Sequence, residues 1–158
     1  MKEVRLKVNS LGETNKLAAK LAQNVKGGEV IGLIGDLGAG KTYFIKFFAE
    51  ALGVKTEEVI SPTFVFWRRY KGSKVKVNHF DFYRIENEAE AEGTGLEEAM
   101  EQKDAVTIIE WADRVRSYLP EDHLEIVIKF LGQTERAVDM KVYGDEYDYL
   151  LDNIEISS

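Results

Sequence analysis

The chain contains no cysteine, which excludes a disulfide scaffold and thiolate chemistry. Its two histidines, His79 and His123, are too few to build a histidine-based metal centre. No apolar run approaches the roughly 18 residues needed to cross a bilayer, and none stands behind the charges of the N-terminus. These absences predict a soluble protein without membrane association, compatible with the reducing cytoplasm. The 21 Lys and Arg are outnumbered by 28 Asp and Glu, and the net charge of -7 opposes tight autonomous binding to a nucleic-acid backbone. The basic grouping Arg68, Arg69, Lys71, Lys74 and Lys76 reads better as a solvated hairpin than as an RNA surface. Any connection with RNA is therefore expected to pass through a partner.

With 158 residues, 44% of them hydrophobic, the chain can bury one sizeable core and has little room for a second. A single domain spanning 1–158 is expected, with no repeat and no low-complexity linker. Val4, Leu6 and Val8 alternate as a first strand. Ser10-Leu-Gly-Glu13 forms a capping box for a helix bearing Leu17, Ala18, Leu21, Ala22 and Val25, which Gly27-Gly28 stops. Thr63 to Tyr70 and Lys74 to Phe80 read as strands around a turn at Lys71-Gly72-Ser73. A short helix is expected over Leu96 to Lys103, an interior strand over Ala105 to Ile109, and a hairpin from Leu124 through Phe130 to Arg136 and Val142. Asp145 to Leu151 reads as a short tail helix, though its clustered acids and tyrosines leave that open.

The most specific signal is Gly35-Asp-Leu-Gly-Ala-Gly-Lys41-Thr42, which satisfies the phosphate-loop pattern G-x-x-x-x-G-K-[ST]. Its setting is correct. Val30-Ile-Gly-Leu-Ile34 suits a buried parallel strand, and Phe44, Ile45, Phe47, Phe48, Ala51 and Leu52 mark one face of a helix ending near Gly53. Glycines let backbone N–H groups curl around phosphate, and the helix N-terminus adds a favourable field. Lys41 is placed to reach the β- and γ-phosphates and the Thr42 hydroxyl to ligate magnesium. Gly35, Asp36, Leu37, Gly38, Ala39, Gly40, Lys41, Thr42 and Tyr43 are thus the candidate nucleotide-binding loop.

Two carboxylates are the candidates for the chemical step. Asp81, in His79-Phe-Asp81-Phe-Tyr83-Arg84, emerges at a strand end where it can hold a magnesium-bound water or orient the attacking water. Glu110 ends the apolar run Ala105-Val-Thr-Ile-Ile109 in the manner of a Walker B strand, which places negative charge beside phosphate-bound magnesium. His79 reads as a hydrogen-bonded packing residue rather than a base. Tyr83 and Arg84 either organise the loop or touch phosphate, and Asp113 and Arg114 read as a local surface pair. Trp111 is open between core packing, nucleotide stacking and a partner surface. Ser61-Pro-Thr-Phe64 reads equally as a loop responsive to the γ-phosphate or as a stiff turn with hydroxyl caps.

Taken in order, Gly35–Thr42, Ser61–Phe64, His79–Arg84 and Ile109-Glu-Trp111 resemble the motifs of the bacterial TsaE family, formerly called YjeE, over nearly the whole chain. The resemblance implies a three-layer α/β P-loop NTPase fold: a mixed, mainly parallel sheet flanked by helices, with a C-terminal antiparallel hairpin. It implies a cytoplasmic, magnesium-dependent ATPase, slow alone, that assists TsaB-like and TsaD-like proteins in attaching threonylcarbamoyl to adenosine 37 of tRNA. ATP and Mg2+ are the implied cofactors, and contact with tRNA is implied only through the complex. Residue by residue, the resemblance implies catalytic functions at Lys41, Asp81 and Glu110, metal ligation at Thr42, Glu110 and Asp81, and a switch at Ser61 to Phe64. Trp111 matches the family's tryptophan after the acid, and the segment around Thr14 matches a region near the nucleotide base. Tyr43 departs from the family pattern, since many relatives carry a second threonine there. Two other classes of function remain open on the residues alone: a nucleotide-responsive binding switch with little functional hydrolysis, and, less favoured, a small-molecule kinase.

Overall fold

The computed structural model describes residues 2–36, 38–55, 57, 59 and 66–155. Leu37 of the phosphate loop and the Ser61 to Phe64 segment lie outside the described residues. The strands β1 (Glu3–Val8), β2 (Val30–Ile34), β3 (Trp67–Lys71), β4 (Lys76–Asp81), β5 (Ala105–Glu110), β6 (His123–Phe130) and β7 (Arg136–Tyr143) form one sheet in the order β1-β7-β6-β2-β5-β4-β3. The central four, β6, β2, β5 and β4, are mutually parallel. The edge strand β3 is antiparallel to β4, and β7 is antiparallel to both β6 and β1. The sheet is therefore mixed, mainly parallel, with the expected C-terminal hairpin.

Helices cover both faces, as a parallel sheet requires. The helices α1 (Leu11–Asn24) and α2 (Lys41–Ala51) lie over one face, where Leu17, Leu21, Phe44 and Phe48 join Ile31, Leu33, Ile108 and Ile126 in a buried cluster. The short helix α3 (Leu96–Met100) and two 3-10 segments, Glu88–Ala91 and Ala112–Tyr118, contribute to a second cluster around Phe80, Phe82 and Ile109. β2 and β5 are almost wholly buried, which explains why their sequences are continuous apolar runs rather than alternations. No helix among the described residues is long and apolar enough to cross a membrane.

Local signals place most element boundaries. Ser10 caps α1, its Oγ accepting from the Glu13 N–H at 3.2 Å. Glu13 completes the box one residue early, accepting from the Asn9 N–H at 2.8 Å rather than from that of Ser10. The expected helix over Leu96 to Lys103 stops at Met100, because the chain tightens into a turn with the Gln102 N–H on the Ala99 carbonyl before entering β5. Of the two strands expected over Thr63 to Tyr70 and Lys74 to Phe80, the first is described from Phe66 onward; the hairpin observed there is Trp67–Lys71 and Lys76–Asp81, and the tail helix is a single 3-10 turn, Asp148–Leu151. Within the basic hairpin, Arg69 donates to Asn78, Lys74 to the Val25 carbonyl and Lys76 to Asp104, so these three cations serve the fold itself.

That last 3-10 turn is anchored by a buried carboxylate. Glu29 is fully buried and accepts from the Lys26 and Gly27 N–H groups at 2.7 and 2.8 Å and from the Tyr149 hydroxyl at 2.6 Å. Burial first, and then the Glu29 carboxylate, push the Tyr149 hydroxyl far above the ordinary tyrosine range, so it remains a donor. Tyr149→Phe removes one of three bonds to a buried charge and is expected to cost about 2 kcal/mol of stability. The urea midpoint should fall with an unchanged m-value; an unaltered midpoint would show that the anchor contributes nothing.

Candidate functional site

Asp81, Glu110 and the described residues of the phosphate loop sit at the C-terminal ends of β4, β5 and β2, where open α/β sheets bind their ligands. The chain leaves β2 at Gly35 and enters α2 at Lys41. A side chain at position 35 would place its Cβ 2.7 Å from the Ile128 carbonyl of β6, so only glycine allows the loop to leave the sheet there. Gly40 caps α2 with φ of 105°, a left-handed conformation that side chains disfavour. The Ala39 N–H closes a turn onto the Asp36 carbonyl at 3.0 Å. Asp36 and Thr42 are exposed, and the Lys41 side chain folds back into the loop.

Lys41 is buried, with its ammonium donating to the Gly35 carbonyl and lying 3.6 Å from the centre of the Trp111 ring. Burial holds its pKa below the ordinary lysine value, while Glu110, Asp113, Asp81 and Asp36 pull in the opposite direction. The cation is thus partly desolvated beside a carbonyl dipole and an aromatic face. That environment favours an anionic ligand able to replace lost hydration.

β4 and β5 bring the two acids together. Asp81 and Glu110 are register partners on these adjacent parallel strands, so residues far apart in the chain share one sheet face at one edge. Asp81 Oδ1 accepts from the Tyr83 N–H at 2.9 Å, which turns the chain out of β4. Glu110, almost wholly buried, accepts at Oε2 from His79 Nε2 at 2.8 Å. His79 is therefore a hydrogen-bonded buried residue, as the sequence suggests, but its partner is a candidate site carboxylate.

Trp111 follows Glu110 in a left-handed conformation, φ of 59° and ψ of 39°, which is strained for a bulky residue. The strain turns its ring over Lys41. Arg114 turns toward the site rather than toward Asp113: its guanidinium lies 4.6 Å from the Trp111 ring centre, and it donates to the Tyr83 carbonyl. Trp111 thus links the phosphate-loop lysine to the loop after Asp81, with the Tyr83 ring centre 5.3 Å away.

A cavity of about 600 Å³ joins these parts. Its walls include Gly38, Ala39, Gly40, Lys41, Thr42 and Tyr43 from the phosphate loop, Asp81, Tyr83, Glu110 and Trp111 from the strand ends, and Thr14 of α1. Gly35 and Asp36 are not on its wall, although Gly35 holds Lys41 from beneath. Arg136, which the sequence marks only as a hairpin residue, also lines it. Its Nε donates to the Ala39 carbonyl at 3.0 Å and its Nη1 to the Gly132 carbonyl at 2.7 Å, tying the phosphate loop to the β6–β7 turn. The only local signal for that role is an arginine opening an alternating strand.

The oxygen donors suit magnesium. Among the described residues no group of three or more His, Cys, Asp and Glu could hold a metal by itself. Thr42, Asp81 and Glu110 supply one hydroxyl and two carboxylates beside the phosphate loop, a set that fits a cation completing its shell with phosphate and water.

A family model described as threonylcarbamoyl adenosine biosynthesis protein TsaE matches residues 8–138. A Bacillus subtilis protein named tRNA threonylcarbamoyladenosine biosynthesis protein TsaE is 38% identical over 154 residues, covering 98% of this chain and 95% of its own. An Aquifex aeolicus protein of the same name is 41% identical over 139 residues, covering 87% of this chain and 94% of its own. The crystal structure of Bacillus subtilis YdiB superposes with a TM-score of 0.77 at 33% identity, covering 97% of this chain and 94% of that one.

Proposed function

The chain belongs to the TsaE family, and we propose that it is a cytoplasmic, magnesium-dependent ATPase that sustains threonylcarbamoylation of tRNA adenosine 37 by a TsaB/TsaD-type complex. The observation that carries this reading is a single cavity with the phosphate loop on one wall and two register-paired strand-end acids on another. Phosphoryl transfer requires positioning and charge stabilisation more than covalent chemistry, and this wall pairing supplies both.

In this reading, the loop from Gly35 to Thr42 wraps the phosphates and Lys41 exchanges the Gly35 carbonyl and Trp111 face for β- and γ-phosphate oxygens. Thr42 and Glu110 would hold magnesium, and Asp81 would be a further ligand or a partner for its water. When bound, the ion would supply neutralisation of the charge that develops on the phosphates. Asp81 orients a water for in-line attack on the γ-phosphorus: a P–O bond to that water forms as the β–γ bridging P–O bond breaks, releasing ADP and phosphate. Thr14 lines the same cavity and, in this reading, stands beside the nucleoside.

The whole chain acts as one ATPase domain, and hydrolysis changes how it docks on its partners rather than transferring threonylcarbamoyl itself. Its acidic surface fits indirect contact with tRNA through those partners. Phosphate release from ATP, measured with and without the TsaB-like and TsaD-like proteins, tests the reading. Slow magnesium-dependent release by the chain alone, stimulated by the partners, is expected; release that is unaffected by magnesium and partners would contradict it.

A further inference from the structure

The face of the sheet that carries Asp81 and Glu110 also carries Tyr70 and His79, because residues two apart on a strand share a face and Tyr70 pairs with Val77 in register. Three positions around His79 on this face, Val77, Val106 and Ile108, are fully buried hydrocarbon, while Arg68 stands opposite it in register on β3. Packing alone would be met by another aliphatic residue. Instead a 2% exposed imidazole sets Nε2 at 2.8 Å from Oε2 of a 4% exposed carboxylate, with Nδ1 3.1 Å from the Tyr70 hydroxyl. Three adjacent strands therefore each give one member of a buried chain, Tyr70 from β3, His79 from β4 and Glu110 from β5.

The hydrogen-bond inventory orders that chain. An ionised carboxylate only accepts, so the contact to Glu110 requires a proton on Nε2. In the neutral imidazole with its proton on Nε2, Nδ1 is an acceptor, and the Tyr70 hydroxyl at 3.1 Å is placed to donate to it. The result is a donor aimed at one oxygen of Glu110, which removes rotational freedom from a carboxylate that ends a strand at the wall of the cavity.

We propose that His79, held by Tyr70, is a positioning residue that orients the Glu110 carboxylate for magnesium-nucleotide binding; this rests on the reading of Glu110 as a metal-side ligand. Groups that hydrogen-bond metal-ligating residues typically change metal affinity or activity by about 10–100-fold when removed. His79→Leu keeps an apolar filling but removes the donor. His79→Gln keeps an N–H donor that reaches the place of Nε2. Tyr70→Phe keeps the ring and removes only the hydroxyl.

The test uses the full chain with ADP and Mn2+ as the spin-active probe, reading bound Mn2+ by electron paramagnetic resonance beside ADP affinity in chelator and partner-stimulated turnover. His79→Leu is expected to weaken Mn2+ binding to the ADP complex and to lower kcat, each by about 10–100-fold, with ADP affinity in chelator unchanged. His79→Gln should recover most of both losses, and Tyr70→Phe should show a smaller loss. A folded His79→Leu with parental Mn2+ affinity, or a folded His79→Gln as impaired as His79→Leu, would overturn the proposal. If His79→Leu does not fold, Tyr70→Phe decides: reduced Mn2+ affinity supports the chain and parental affinity overturns it. Glu110→Gln separates the two levels. Parental Mn2+ affinity in Glu110→Gln means the reading of Glu110 itself fails, whereas a loss there without one in the His79 variants means only the positioning role fails.

Discussion

Glu110→Gln and Asp81→Asn are each expected to lower partner-stimulated ATP turnover by about 10²–10³-fold, equivalent to roughly 2.7–4 kcal/mol of transition-state stabilisation. The amides remove charge while keeping shape. Asn at position 81 can still accept from the Tyr83 N–H, and Gln at position 110 can still accept from His79, so the contacts that shape the two strand ends survive. The two variants should differ in how they fail. Glu110→Gln should raise the magnesium concentration needed for turnover, as loss of a hard oxygen ligand would. Asp81→Asn should leave magnesium-nucleotide binding closer to the parent and lower kcat, as expected of a group that orients water. If both variants fold and turn over ATP like the parent, the two-carboxylate site is wrong even if the phosphate loop binds nucleotide.

Lys41→Ala should remove most of the thermal stabilisation that nucleotide provides. At a ligand concentration 100 times Kd, binding adds about 2.7 kcal/mol, which for a chain of this size raises Tm by roughly 5–10 °C. Lys41 is the cation of the phosphate loop, buried against Trp111 with its ammonium partly desolvated, and charge-assisted bonds to phosphate oxygens are the strong class. Losing them is expected to weaken ATP by about 100-fold, roughly 2.7 kcal/mol. At the same ATP concentration the variant would then sit near its Kd, and the shift should fall to about 1 °C. A full parental shift in folded Lys41→Ala would remove Lys41 from the phosphate site.

What could be read from the residues, and what could not, follows from how local each cause is. The phosphate loop is legible because glycine, lysine and threonine act at fixed short spacing between a buried strand and a helix. β2 and β5 are legible because strands buried on both faces are apolar throughout. Asp81 and Glu110 each reveal themselves as an acid at the end of such a strand, but their pairing depends on β4 and β5 lying side by side, a non-local fact. The same holds for His79 and Glu110, and for Tyr149 and Glu29, 120 residues apart in the chain. Trp111 was ambiguous because its role comes from a left-handed backbone conformation, which no residue type other than glycine announces. Arg136 acts on carbonyls of the β6–β7 turn and of the phosphate loop, and nothing in its immediate neighbours signals that bridge.

In the proposed function, hydrolysis by this chain, at the cavity between the phosphate loop and the paired acids, sustains repeated tRNA modification. Its most direct measurement is the number of threonylcarbamoylated tRNAs formed per TsaB/TsaD-type complex, with this chain added as the parent or as Glu110→Gln, and with ATP or a non-hydrolysable analogue. Many turnovers are predicted only with the parent chain and ATP, and about one per complex in every other arm. Equal multiple turnover with the non-hydrolysable analogue would contradict the account and leave the chain a nucleotide-responsive binding switch.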